Sequence, residues 1–141
     1  MTPITEAEVR DLAARWFDAV SAKLPIEQQR AFFAPGVEIE TWDGGTVSLA
    51  EQIALHDDLT EEDHAIRGLK VEPLAGGRVR ATVDLHWEAT KPSDQSGEKR
   101  IRADLDEEWI IERGPDGRLR YARYLARSLR YLPGSAKLNV G

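Results

Sequence analysis

The stretch RVRATVDLHWEAT (residues 78–90) has the plainest structural pattern in the sequence, because apolar and polar side chains alternate along its whole length. Successive side chains of a β-strand point to opposite faces, so one face of this segment is apolar and the other is charged. Such a segment is typical of an antiparallel sheet that is covered on one face only. The apolar row consists of Val79, Ala81, Val83, Leu85, Trp87 and Ala89.

The segments on either side predict further strands. One is predicted over residues 64–74, before the Gly76-Gly77 turn, and the last over about 118–131, after the hairpin turn at 114–117. Between them, after a polar loop over 91–97, the inward row of another strand is Ile101, Ala103, Leu105, Glu107, Trp109 and Ile111. We expect three long strands in an antiparallel meander that bends strongly, because they exceed the usual length of ~5–6 residues.

The N-terminal part predicts helices. Thr5 and Glu8 have the spacing of a capping box, and an apolar stripe at helical spacing follows: Val9, Leu12, Ala13, Trp16, Phe17 and Val20. Three further elements are predicted before residue 60: a helix over 26–33, a short strand over 37–41 and a helix after the Ser48/Glu51 capping box. The helices are the only elements that can cover the sheet, so the predicted class is α+β.

Composition narrows the function classes. The chain has 141 residues, which fits a single domain over 1–141 with an ordered core over about 5–131. It has no cysteine and a net charge of −6, so a disulfide framework and a nucleic-acid partner are not expected. No segment approaches the ~20 apolar residues that span a bilayer, and no signal-peptide pattern is present, so we expect a cytoplasmic protein without membrane contact.

Three motifs in this order resemble the NTF2-like superfamily, and within it the SnoaL-like branch. DLAARWFDAV (11–20) resembles the first helix, RAFFAPGVEIET (30–41) the passage into the first strand, and EEWIIERGPDGRLRYARYL (107–125) the final hairpin. The resemblance implies a cystatin-like cone, in which N-terminal helices close a bent sheet around a pocket, and a homodimer formed through the sheet. Members include isomerases, dehydratases, epoxide hydrolases, cyclases and binding proteins, so the fold implies no single activity.

Two catalytic sets of the family do not map onto this chain. The isomerase-like members imply a tyrosine, a carboxylate base and a protonated aspartate, and the matching positions hold Trp16, Thr41 (beside Asp43) and Trp109. Arg102 and Asp104 resemble the Arg-x-Asp pair of the epoxide-hydrolase-like members, but Tyr124 or Arg123 stands where a second carboxylate is needed. We expect Arg102 and Asp104 on the outward, charged face of their strand.

The histidines are the next candidates, because the dehydratase-like members use two histidines and an aspartate. His56 lies on the core-facing stripe of the third helix and His64 opens the next strand, so both rings can reach one end of the cone. The alternative is that His56 is a hydrogen-bonded rim residue and His64 a surface residue. His86 is predicted on the polar face, outside the pocket. His56 and Asp57, with His64 or Asp63, could be arranged as metal ligands, but acidic residues next to helix ends are common, so we predict no metal and no cofactor.

Glu107 is the one carboxylate on an apolar row, between Leu105 and Trp109, where it must be buried, paired or functional. Arg123 or His56 is its expected partner. Glu107 and His56 are therefore the candidate acid–base groups. The predicted pocket lining is aromatic and consists of Trp16, Phe17, Phe33, Trp42, Trp87, Trp109 and Tyr121.

The sequence thus supports two hypotheses about function. One is a cofactor-free lyase, isomerase or cyclase that acts on a small apolar organic molecule. The other is a non-catalytic ligand-binding or dimeric accessory module with the same pocket. The first requires Glu107 and His56 to face one cavity within about 6 Å of each other, close enough for one substrate to touch both. The second requires only the aromatic lining.

Overall fold

The computed structural model describes residues 3–92 and 100–137. The α-helices are α1 (Glu6–Ser21), α2 (Ile26–Arg30) and α3 (Leu49–His56). The strands are β1 (Ile39–Glu40), β2 (Thr46–Val47), β3 (Thr60–Pro73), β4 (Val79–Thr90), β5 (Arg100–Arg113) and β6 (Leu119–Tyr131). Most of the polar loop predicted over 91–97 lies outside the described residues.

The described strands form one sheet in the order β2-β1-β6-β5-β4-β3. Strands β3 to β6 are successive antiparallel neighbours, which confirms the predicted meander. β1 runs parallel to β6 and pairs with β2 in antiparallel fashion, so the sheet is mixed at one edge. The predicted α+β class is confirmed, but the predicted antiparallel sheet contains one parallel pair, β1 with β6.

The prediction of three long strands is wrong, because β3 is also long. It has 14 residues and begins at Thr60, four residues before the predicted start at His64. A register shift between Thr60 and Asp63, with Glu61 at φ 50°, marks a bulge in this first part of the strand. The acidic run there has no apolar alternation, which is why the sequence did not show the start.

The capping boxes predicted for α1 and α3 are both confirmed. The Thr5 hydroxyl accepts from the Glu8 amide at 3.2 Å, and the Ser48 hydroxyl accepts from the Glu51 amide at 3.1 Å. Each hydroxyl satisfies one of the amides that a helix leaves unpaired in its first turn. The two helices therefore begin at the residues that the sequence indicated.

Two short elements differ from the prediction. α2 ends at Arg30 and does not reach Phe33, because the chain turns there to meet β6: the Tyr121 amide donates to the Phe32 carbonyl at 2.8 Å. β1 comprises only Ile39 and Glu40, whereas a strand over 37–41 was predicted. Hydrogen bonding to β6 limits both elements, and the sequence alone does not show that partner.

The core lies between α1 and the inner face of the sheet. The buried side of α1 is the predicted stripe extended by Ala19: Val9, Leu12, Ala13, Trp16, Phe17, Ala19 and Val20. The Trp16 ring meets the Phe33 ring edge-on at 5.0 Å between centroids, and Trp109 meets Tyr121 at 5.4 Å. Aromatic rings at such distances and angles pack favourably. In the described part of the chain, no helix is long and apolar enough to cross a membrane.

The ordered structure extends past the predicted limit at residue 131. The Leu132 amide donates to the Arg102 carbonyl at 2.9 Å, and the Ala136 amide to the Arg100 carbonyl at 3.0 Å. Ala136 itself is buried. This segment follows the edge of β5 that β6 no longer covers, so its backbone groups find partners there. Residues 138–141 lie outside the described residues.

Candidate functional site

A cavity of about 580 Å³ opens between the helices and the inner face of the sheet. α1 and α3 supply one side of it, the β1–β2 turn forms part of the rim, and strands β3 to β6 supply the floor. Its lining is mainly apolar and aromatic: Trp16, Val20, Ile39, Trp42, Val47, Leu55, Leu85, Trp87, Leu105, Tyr124, Ala126 and Leu129. A concave apolar space with a few polar groups is the usual form of a small-molecule site.

Glu107 lies on β5 at the floor of this cavity and is only 4 % exposed. The indole N–H of Trp109 donates to its Oε1 at 3.0 Å. Burial raises the pKa of Glu107 to about 7, although hydrogen bonds from Tyr124 and Trp109 favour the carboxylate. The side chain therefore exchanges a proton readily near neutral pH.

The burial predicted for Glu107 is confirmed, but its predicted partners are wrong. Arg123 lies outside the cavity lining and pairs with Glu40 at 2.6 Å. The partners of His56 are Glu62 and Gln52. The groups that hold Glu107 are two aromatic donors, Trp109 and Tyr124, so its charge has no basic side chain beside it in these contacts.

His56, at the C-terminal end of α3, is held by a buried carboxylate. Its Nδ1 lies 2.7 Å from Oε1 of Glu62, whose side chain is 2 % exposed. Its Nε2 lies 3.0 Å from the Gln52 amide nitrogen, and the Trp87 indole donates to the same Glu62 oxygen at 3.2 Å. With Nδ1–H donating to Glu62, Nε2 is the basic nitrogen and accepts from Gln52.

Glu62 remains ionised despite its burial. Burial by itself raises the pKa of Glu62, but the hydrogen bonds from His56 and Trp87 contribute to lowering it below the usual value. A carboxylate in this position fixes both the ring orientation and the tautomer of His56. Its second oxygen, Oε2, is buried and has no partner among the described residues.

His64 lines the same cavity from β3, two residues after Glu62. Its ring stacks on Phe17 with centroids 4.3 Å apart and planes at 3°. Burial lowers the pKa of His64 to about 4, with His56 adding to the effect and Glu62 and Asp63 opposing it. The ring is therefore neutral at physiological pH.

The structure places part of the predicted aromatic lining at the cavity. Trp16, Trp42 and Trp87 line it, together with Glu107 and His56, and Trp42 lies 37 % exposed at the rim. The other predicted lining residues are buried in the packed core and do not line the cavity: Phe17, Phe33, Trp109 and Tyr121. They form the aromatic layer against which Glu107, His64 and Trp16 are fixed.

Sequence reasoning missed two polar residues of the site. Glu62 was not recognised because it lies in the irregular first part of β3, where the only strong apolar residue on its face is Ile66, four residues on. Gln52 lies one turn before His56 on α3, and that i, i+4 spacing is the signal that could have indicated it.

The other chemical candidates lie elsewhere. His86 is on the outer face, as predicted, bound to Asp104 at 2.7 Å and Glu88 at 2.8 Å. The Arg102 guanidinium donates to the Pro133 carbonyl on the same side of the molecule. Among the described residues, no group of three or more His, Cys, Asp or Glu side chains converges as metal ligands would.

Solved structures with low sequence identity have the same architecture. LinA-type3, a hexachlorocyclohexane dehydrochlorinase from Novosphingobium barchaimii, is 14 % identical, with TM-score 0.69, 91 % of this chain covered and 90 % of that one. Aln2 from a Streptomyces species is also 14 % identical, with TM-score 0.68 and coverage of 89 % and 93 %. A Catenulispora acidiphila protein in complex with S-DNPA is 18 % identical, with TM-score 0.68 and coverage of 89 % and 91 %.

This chain has the NTF2-like fold. The similar structures show the α+β cone that the resemblance of the three sequence motifs implied. No protein-family model and no curated protein matches the chain. At these identities the likeness shows the fold alone, so the chemistry has to be argued from the residues of the cavity.

Proposed function

We propose that this protein binds a small, mainly apolar organic molecule in the cavity and catalyses a proton transfer on it, with Glu107 and His56 as the acid–base groups. One observation supports this above all others. A buried carboxyl with its pKa raised to about 7 opens on an apolar cavity that also holds the oriented His56 ring. Perturbed titratable groups in a cleft are typical of acid–base sites.

The two groups suit different halves of a proton transfer. Glu107 exists in both protonation states near neutral pH, so it serves as either acid or base. Glu62 accepts the Nδ1–H of His56, so Nε2 is the nitrogen that serves as the base. The Gln52 amide contacts this nitrogen, and a substrate group would bind in its place. Such a site fits a lyase, isomerase or cyclase that needs no cofactor.

Two of the similar structures support a small ligand of this kind. One is in complex with S-DNPA, and another is named as a dehydrochlorinase of hexachlorocyclohexane, a compound without charged groups. The alternative function, a binding or accessory module without catalysis, uses the same cavity. The raised pKa of Glu107 favours catalysis, since a purely apolar binding wall gains nothing from a buried carboxyl.

The binding half is tested with diphenylmethane as the probe and the fluorescence of the lining tryptophans as the signal. Ala126→Phe adds a ring inside the cavity and should weaken binding about tenfold or more. Ala122→Phe is the matched control, because Ala122 lies on the same strand but lines an outer groove. Equal binding by both variants would contradict the cavity as the site.

The catalytic half is tested by deuterium uptake into indene and α-tetralone in D2O. The wild-type protein should accelerate deuterium uptake into one of these two compounds. Glu107→Gln should lower that rate about 10²-fold or more and still bind diphenylmethane. His56→Phe should also lose rate, whereas His86→Gln, which changes the outer face, should not. Binding of both probes without any exchange would support the non-catalytic alternative.

We also infer that two copies pair through the outer face of the sheet. Glu108 there is 6 % exposed and forms ion pairs with Arg80, Arg123 and Arg127, while Asp106, which precedes it on β5, pairs with Arg130. A two-fold axis that reverses β5 would place the region of Arg80, Arg123 and Arg127 in one copy opposite the region of Asp106 in the other. Sedimentation should show a dimer that Arg127→Glu weakens, and a monomer at every concentration would contradict it.

We infer further that the chain works as a single domain over residues 1–141 and in the cytoplasm. The absence of cysteine and the acidic composition support a reducing, aqueous compartment. Cell fractionation with an antibody against the chain tests this location. Recovery in the membrane or exported fraction would contradict it.

A further inference from the structure

His64 has a buried nitrogen that no described residue satisfies. Its Nδ1 is inaccessible and has no hydrogen-bond partner within residues 3–92 and 100–137. The ring as a whole keeps partial exposure and belongs to the cavity lining, so its accessible part faces the cavity. Because Nδ1 is sealed, Nε2 is the nitrogen left for a ligand.

The neutral ring has one favoured tautomer in this setting. Burial keeps the ring uncharged, so only one of its nitrogens carries a proton. A buried acceptor without a donor is tolerated more often than a buried N–H without an acceptor, as surveys of backbone groups show. The lone pair therefore belongs on Nδ1 and the proton on Nε2, which makes His64 a hydrogen-bond donor to the cavity.

Stacking on Phe17 fixes where that donor points. The two rings lie parallel at 4.3 Å between centroids, and Phe17 is itself buried on α1. Rotation of the imidazole out of this plane would break the contact with Phe17. A donor held in one direction inside an apolar space is pre-organised for a single acceptor atom.

The charges around the cavity restrict the ligand further. Within the described ranges, its lining includes four carboxylates and no lysine or arginine: Glu40, Asp43, Glu51 and Glu107. Arg123 neutralises Glu40 from outside, but no basic side chain does so for Glu107 in its contacts. A ligand carboxylate or phosphate would enter without a counter-charge, and burying an unpaired charge is costly.

We propose that His64 donates the hydrogen bond that recognises the ligand, and that the ligand is an uncharged carbonyl compound with an apolar body. This proposal rests on the proposed function of the cavity as a small-molecule site. A carbonyl oxygen is an acceptor without a proton to give, which matches a donor-only Nε2–H. Glu107 and His56 then act on the carbon framework while His64 holds the oxygen.

Three probes with the same two rings distinguish a carbonyl ligand from an apolar one and from a carboxylate: benzophenone, diphenylmethane and diphenylacetate. Calorimetry on the wild-type protein should show that benzophenone binds about tenfold more tightly than either of the others. His64→Phe keeps a flat ring against Phe17 and should lose that preference while its affinity for diphenylmethane is retained. His86→Gln, on the outer face, should keep the preference in full.

A second measurement does not depend on the folding of any variant. Benzophenone labelled with ¹³C at the carbonyl should show a downfield shift on binding to the wild-type protein, as a hydrogen-bonded carbonyl does. Equal affinity for benzophenone and diphenylmethane, or an unshifted carbonyl signal in the bound state, would overturn the role of His64 and leave the binding function standing. Tighter binding of diphenylacetate would overturn the charge argument, and binding of none of the three would overturn the proposed function as well.

Discussion

At the scale of single residues, Glu107 contributes to the dependence of the protein's stability on pH. Its pKa is about 7 in the folded protein and 4.5 without burial, so the folded state binds more protons between these values. The stability that this group contributes is complete below about pH 4.5 and is lost as pH rises through 7. Between pH 5 and pH 8 the loss is about 2–3 kcal/mol.

Glu107→Gln should remove this loss, because the amide has the size of the protonated acid and does not ionise. We expect the variant to gain about 2–3 kcal/mol relative to wild type between pH 5 and pH 8, measured by urea denaturation at both values. The comparison between the two proteins cancels the opposite contribution of His64, whose pKa is lowered. A wild-type–variant difference that does not change with pH would contradict the buried carboxyl.

Glu62 acts at the same scale by setting the tautomer of His56. When the ring is neutral, ¹⁵N NMR should show the proton on Nδ1 and not on Nε2 in the wild-type protein, because Glu62 accepts at 2.7 Å. Glu62→Gln keeps an oxygen acceptor and should preserve this tautomer. Glu62→Ala removes the acceptor that His56 and Trp87 share. The variant should therefore show both tautomers of His56 and lose about 2 kcal/mol of stability. An unchanged tautomer in Glu62→Ala would show that Glu62 does not position the ring.

At the scale of elements, α3 is the part of the cavity wall most easily opened. It contains no buried residue, whereas α1 buries seven, so α3 is held by its cap and by side contacts such as His56–Glu62. A helix with so few tertiary contacts can unfold locally without the rest of the protein. We expect α3 to open locally more easily than the rest of the cavity wall.

The two capping boxes provide a matched pair of variants for this idea. Ser48→Ala removes about 1 kcal/mol from α3 and should speed amide exchange within it about fivefold, with little change in global stability. Thr5→Ala removes the same cap from α1 and should lower global stability by about 1 kcal/mol. If Ser48→Ala lowered global stability as much as Thr5→Ala does, α3 would not open by itself.

At the scale of the whole molecule, the sequence predicted the meander and the buried position of Glu107, because period two extends unbroken through β4 and into β5. It did not predict Glu62, since the bulge at Glu61 interrupts the alternation at that point. It also did not show which aromatic side chains line a cavity and which pack behind it. Trp87 and Trp109 have the same alternating pattern, and only the position of α1 and α3 over the sheet separates them.

A carboxyl that takes up a proton near neutral pH, inside an apolar cavity, is the feature on which the proposed chemistry depends. The most direct measurement is a ¹³C NMR titration of the Glu107 side-chain carboxyl, assigned by its loss in Glu107→Gln. The predicted result is a titration midpoint near 7. A midpoint near 4.5, the value without burial, would mean that Glu107 is an ordinary ionised carboxylate and would contradict its role as the acid–base group.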